Sequence, residues 1–227
     1  MKHCSYILML ILLSGCGGFR GGIESSPYVE GQEPQESRTG PPWSHELTFS
    51  DLTVELSLNN RVRTYQYEVM LFVIPTYLNF WEEFQHRDAD ALELTVRVTA
   101  HGSTVTLDPR HLRLTVEQEE FRPTGVWMNN LERERQVIDT YVDALKQASA
   151  DRPPAIPRSS EWRDPVMGPV TIHPGEKSPR FIVTFPVPLP SPERPLSLDL
   201  NPAISDTQHS NKPLIRFKSV RWSEGYS

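Results

Sequence analysis

The sequence predicts a mainly β protein, an antiparallel sandwich of about eight or nine short strands broken by one helical insertion near residues 130–150. Two patterns point that way: apolar and polar residues alternate with a period of two in most segments after residue 50, and Pro, Gly, Asn and Asp stand between those segments. The third observation is one stretch whose apolar residues instead recur at helical spacing.

Leu52-Thr53-Val54-Glu55-Leu56-Ser57-Leu58 alternates strictly, as a half-buried strand does, and Asn59-Asn60 marks its turn. The run Tyr65 to Ile74 places Tyr67, Val69, Leu71 and Val73 on one face and Met70, Phe72 and Ile74 on the other. That pattern predicts a strand that is central or covered on both sides. A third strand is expected over Leu92 to Ala100, turned by His101-Gly102-Ser103. Val105-Thr106-Leu107 and Leu112 to Val116 follow as short neighbours, separated by Asp108-Pro109. Later come Val170-Thr171-Ile172, the turn Pro174-Gly175, Phe181 to Phe185, Leu196 to Leu200, and a last strand from Leu214 to Trp222. In that last strand Ile215 and Phe217 share one face against Arg216 and Lys218 on the other.

The helix is expected between Asn130 and Ala150, where Leu131, Ile138, Val142 and Leu145 form one apolar stripe and Glu132, Arg133, Glu134, Arg135, Asp139 and Lys146 the wet face. Arg152-Pro153-Pro154-Ala155-Ile156-Pro157 stops it. This excursion, about 120–168, reads either as an insertion capping the sandwich or as a partner-binding arm.

Val105-Thr106-Leu107-Asp108-Pro109 leading to Leu112-Arg113-Leu114, and His173-Pro174-Gly175-Glu176 leading to Phe181-Ile182-Val183-Thr184-Phe185, resemble corners of the immunoglobulin-like domains of secreted bacterial lipoproteins. There a Leu-Asp-Pro corner ends one strand and a Pro-Gly-Glu turn introduces a strand rich in Phe and Val. The resemblance implies an immunoglobulin-like sandwich over about half of the folded part and carries no family function. The helix and the Pro-rich segment 186–195 depart from that pattern, and the inter-sheet disulfide of antibody domains has no cysteines to form it.

At the amino terminus, Lys2 precedes the apolar run Tyr6 to Leu13. Eight apolar residues are far short of the roughly twenty a helix needs to cross a bilayer, so the segment reads as a secretory leader. Leu13-Ser14-Gly15-Cys16 resembles the lipobox of bacterial lipoproteins. That resemblance implies lipid transfer to the Cys16 sulfur and removal of the signal peptide, residues 1–15. Each buried methylene favours attachment by about 0.8 kcal/mol, and two or more chains make it lasting. Gly17 does not match the aspartate that retains such proteins on the inner membrane. The resemblance therefore implies the periplasmic leaflet of the outer membrane.

From Gly17 to about Pro42 the composition is Gly, Ser, Pro, Glu and Gln, with Phe19, Ile23, Tyr28 and Val29 as the larger apolar residues. Residues 16–43 are therefore expected to be the lipidated amino terminus and a flexible tether, and 44–227 the sandwich domain. Of the two cysteines, Cys4 lies in the leader and Cys16 takes the lipid, so the domain relies on its own core. The charge of −6 becomes −7 when Lys2 leaves with the leader, a balance that disfavours nucleic acid and anionic lipid as partners.

Candidate chemistry is sparse. The histidines His3, His45, His86, His101, His111, His173 and His209 include no pair three or four apart, as helical zinc ligands would be. His101 and His111 lie on polar sides of strand patterns, and either a solvated pair or a meeting across a sheet suits them. Asp88-Ala89-Asp90 with Glu93 lacks the glycine and spacing of a calcium loop. Glu82, Glu83, Glu117, Glu119 and Glu120 read as exposed strand ends rather than paired acids and bases. No Gly-x-Ser-x-Gly element is present. Trp81 with Phe80 and Phe84, and Trp127 beside Met128, read as core lids or as a binding face. Pro186 to Pro192 reads as a stiff connection or a docking strip.

The sequence thus assigns no catalytic, cofactor or metal residue and one modified residue, Cys16. It leaves two function classes open. The first is a noncatalytic, membrane-anchored envelope module that binds a protein or serves structurally. The second is a small-ligand carrier or hydrolase whose site is assembled from distant residues such as His101, His111, Glu117 and the loop around Trp81.

Overall fold

The structure, a computed structural model, describes residues 17–39, 45–70, 74–84, 91–147, 154–155, 157, 159–206 and 211–226. The first strands are β1 (Gly17–Tyr28), β2 (Ser37–Thr39), β3 (His45–Thr48), β4 (Leu52–Leu58), β5 (Val62–Met70) and β6 (Ile74–Phe84). Next come β7 (Leu92–Ala100), β8 (Val105–Leu107), β9 (Arg113–Val116), β10 (Glu119–Phe121) and β11 (Gly125–Asn129). Helix α1 (Leu131–Gln147) follows, then β12 (Arg163–Pro165), β13 (Val170–Ile172) and β14 (Phe181–Phe185). The last strands are β15 (Leu196–Asp199), β16 (Ile204–Asp206) and β17 (Ile215–Tyr226).

These strands form three sheets. The first runs β10-β9-β15-β17-β1-β5-β6, with β2 added beside β17; the second runs β12-β11-β14-β7-β4-β3; the third is β13-β8-β16. Pairing is antiparallel except between β2 and β17. One apolar core is built from all three sheets: Leu52, Val54 and Leu56 of β4, the five inward residues of β7, Phe181, Val183 and Phe185 of β14, Leu114 of β9, Leu198 of β15, Ile215 of β17, and Leu107 of β8 with Ile172 of β13. A mainly β body with antiparallel sheets around a shared core is sandwich-like, as the alternation predicted.

Strands β4 and β7 show why that alternation was informative. Leu92, Leu94, Val96, Val98 and Ala100 are all fully buried, and β7 pairs with β14 on one side and β4 on the other. Ile215 and Phe217 face inward and Arg216 and Lys218 outward, as expected of the last strand.

Four expectations are corrected. Residues 17–28, expected within the flexible tether of 16–43, form β1, paired along its length with β17 and also with β5. The twelve residues bury polar side chains, Glu24, Ser25 and Ser26, so the segment lacks the apolar alternation that marks other strands. The run Tyr65–Ile74, expected as one strand, belongs to a hairpin in which Met70 of β5 pairs with Ile74 of β6. The excursion 120–168 is smaller than expected, because β11 and β12 within it extend the second sheet through the β11–β14 pairing. The strand number also exceeds eight or nine, since β1, β2, β3, β10, β11, β12 and β16 lie outside the expected strands and Tyr65–Ile74 divides between β5 and β6. Residues 1–16, which include the expected leader and Cys16, and residues 40–44 lie outside the described residues.

Candidate functional site

Helix α1 starts where Asn130 caps it. The Asn130 Oδ1 accepts from the Arg133 backbone N–H at 3.0 Å, satisfying one of the amides that a helix start leaves open. Glu132 and Glu134 lie in the first turn and Lys146 in the last, as the helix dipole favours. Its base is fixed to β12, since Asn130 Nδ2 donates to Asp164 at 2.9 Å and Arg133 pairs with the same carboxylate at 2.8 Å.

The inner face differs from the expected stripe. Val137, Tyr141 and Ala144 turn toward the returning Pro154, Ala155 and Pro157, across a cavity of about 350 Å³. The predicted stripe lies beside that face, and Ile138, Val142 and Leu145 remain 45%, 39% and 42% exposed. The apolar arc of the helix is wider than the Pro-rich return covers, so half of it faces solvent. These three residues follow the i, i+4, i+7 spacing of a helix that inserts anchors into a groove. At the helical spacing Arg135 and Lys146 flank them on one side, with Asp139, Glu132 and Asp143 beyond, and Glu134 on the other; Lys146 is held by Asp143 at 2.9 Å.

A second cluster was not legible beforehand. Ser26 of β1 and His45 of β3 meet with Oγ to Nδ1 at 3.1 Å, and His45 Nε2 lies 3.7 Å from Glu24 Oε1. The alternation of β1 puts Glu24 and Ser26 on one face, and β3 brings His45 to it. Arg61 reaches the other Glu24 oxygen at 3.6 Å and stacks its guanidinium 3.4 Å above the Trp222 ring. Ser26 and His45 border a cleft of about 420 Å³ together with Gln32, Gln35 and Glu46. A hydroxyl, an imidazole and a carboxylate in this order are the groups of nucleophilic hydrolysis. However, 3.7 Å is longer than a hydrogen bond that would orient the imidazole, and Ser26 is 1% exposed.

The other candidates are dispersed. His101 takes Thr53 Oγ1 at 2.8 Å, and His111 lies 3.8 Å from Asp108. Each is thus occupied locally, in different sheets' margins. Glu117 sits in the β9–β10 turn at φ 59° beside Arg194, Glu120 pairs with Arg113, and Glu93 holds Arg163 through two hydrogen bonds of 2.7 and 3.1 Å. Trp127 lies half-buried in β11. Asp88 and Asp90 are outside the described residues, and Glu82 and Glu83 lie in β6. The Pro-rich 186–195 connects β14 to β15, and its Pro190 carbonyl accepts from buried Asn60 at 3.2 Å. Among the described residues no group of three His, Cys, Asp or Glu could hold a metal, and no helix is long and apolar enough to cross a membrane.

No known protein family matches the chain, and neither curated proteins nor solved structures match it.

Proposed function

We propose that the protein is a noncatalytic, lipid-anchored envelope module that docks another protein through α1. Acyl chains on Cys16 hold it, and the absence of aspartate at Gly17 favours the periplasmic leaflet of the outer membrane. The body is read as immunoglobulin-like on two corners: Asp108 caps the short helical turn Pro109–His111, and Gly175 at φ 82° makes the turn before β14.

The observation that carries the docking reading is the exposed Ile138, Val142 and Leu145 stripe on a helix pinned at its base. Fixing the helix beforehand lowers the ordering cost of binding. Its occupant is a protein groove lined by apolar side chains and rimmed by both charge signs, since the stripe is bordered by Arg135 and Lys146 as well as by acids. A second copy fits poorly: in an antiparallel pair crossing at Ile138, Val142 would face Glu134. A bilayer is disfavoured by the carboxylates of Glu132, Asp139 and Asp143. Moreover, α1 hangs from β11 near one edge of the second sheet, while β3, which lies against β1, forms the other edge. Four strand spacings of about 4.8 Å set β11 and β3 about 19 Å apart.

The test is photocrosslinking from position 138 in the native acylated protein, against a probe at exposed Glu119. A discrete adduct from 138 alone, lost in Val142→Asp/Leu145→Asp, is expected. Identical adducts from both positions, or an adduct of twice the chain mass, would overturn the reading.

The second reading, a hydrolase, rests on the Ser26–His45 contact. A fluorophosphonate probe would label Ser26 and not a His45→Ala variant. Absence of labelling removes it.

A further inference from the structure

Strand β1 begins at Gly17, the residue after Cys16. Successive Cα atoms are about 3.8 Å apart, so an acyl group on Cys16 leaves the first sheet no leash. The first residues of β1 must then lie within the interfacial layer, whose depth on each side of the hydrocarbon is about 6 Å.

What stands beside Gly17 suits that layer. Register pairs Gly17 with Val69 of β5, and one step further Met70 pairs with Ile74 of β6. Met70 and Ile74 therefore extend about 3.4 Å beyond Gly17 along the strand direction. The sequence from Val69 to Ile74 carries no polar or charged residue. Strand β6 is the edge strand of the first sheet, so this end of β5 and β6 lies at the sheet's margin. Phe19, two residues into β1, is 46% exposed, and Tyr226 closes the same end by pairing with Gly18. Aromatic residues favour the membrane–water boundary.

We infer that this end of the first sheet, with Gly17 and Phe19 of β1, Val69 and Met70 of β5 and Ile74 of β6, seats in the headgroup layer of the bilayer. The inference rests on acylation of Cys16. The lipid and the sheet end then form one two-part contact that fixes the orientation of the body. It also explains why α1 is held across the second sheet from β3 rather than near the anchored strand.

The test places an environment-sensitive NBD label at Met70→Cys, and in a second variant at Ile74→Cys, in the native acylated protein on phosphatidylcholine vesicles. The control is Gln118→Cys. It follows Val116, whose row across the sheet passes through Leu196 and Phe217 to Pro27, ten residues along β1 from Gly17. Blue-shifted emission and loss of iodide quenching at 70 and 74, with neither at 118, is the expected result. Equal iodide quenching at all three positions on protein whose mass carries the acyl chains overturns the inference and leaves the anchor standing. An unmodified mass overturns both.

Discussion

Asp51 and Lys212 form an ion pair sealed inside the protein, with Lys212 Nζ 2.5 Å from Asp51 Oδ2 and side chains 4% and 3% exposed. Asp51 precedes β4 of the second sheet and Lys212 precedes β17 of the first, so the pair joins the two sheets. The Asn201 side chain fastens the Lys212 backbone through its N–H at 2.7 Å and its carbonyl at 2.9 Å. Lys212→Met leaves a buried carboxylate without its cation and should cost about 3–5 kcal/mol in urea unfolding. The double variant Asp51→Leu/Lys212→Met should recover most of that loss, because no charge is left stranded. A double variant as unstable as the single one would mean the two residues do not act as a pair.

Gly22 lies where the register of β1 against β5 shifts. A methyl group there would overlap the Val62 carbonyl and the Arg63 backbone, neither of which can yield as a side-chain tip does. Gly22→Ala should therefore destabilise by about 2 kcal/mol or more, and amide exchange along β1 should accelerate. Gly102 has open space around it, so Gly102→Ala should change stability by less than about 0.5 kcal/mol. Equal melting temperatures for the two variants would argue that β1 is not packed between β17 and β5.

Asp108 accepts hydrogen bonds from Arg110 Nε at 2.8 Å and Arg110 Nη2 at 2.7 Å, and also from its backbone N–H at 3.2 Å. The Arg110 side-chain hydrogen bonds come first among the causes that hold the Asp108 carboxyl below its ordinary value of 3.8. A carboxyl depressed in the folded state stabilises the fold above its unfolded value, and that contribution is lost as pH falls through the lower folded value. Asp108→Asn keeps the cap but loses the charge-assisted bonds from Arg110, which should cost roughly 0.5 kcal/mol at pH 7, with the difference shrinking as pH drops below 3.8. Urea midpoints measured from pH 7 down to pH 2 check it. A gap between variant and parent that stays constant across that range would contradict the assignment.

The strands β4 and β7 were legible because their alternation is created by burial of one face, with Leu52 and Leu94 buried and polar residues between the apolar ones, whereas β14, which buries Ile182 as well, was legible from its run of Phe, Ile and Val. Strand β1 was not legible, because its place is secured by pairing on both sides and by the buried polar Glu24, Ser25 and Ser26. Its glycines, which suggest a loose chain, instead permit close approach to β5. The β5–β6 hairpin was hidden for the opposite reason, since no turn-forming residue interrupts Val69 to Ile74. Helical period located α1 but not its inner face; a wide apolar arc leaves that choice to the Pro-rich return. The Ser26–His45 contact joins residues nineteen apart, Ser26 in the stretch that reads as tether and His45 at the start of the expected domain.

Cys16 is where the functional account meets measurement most directly. Membrane fractionation and intact mass should be compared between the parent chain and Cys16→Ser. The parent should sediment with membranes and carry the mass of its acyl chains, while Cys16→Ser should be unmodified and leave the membrane fraction. Matching mass and matching partition for the two would contradict the anchored module, and with it the orientation drawn from β1.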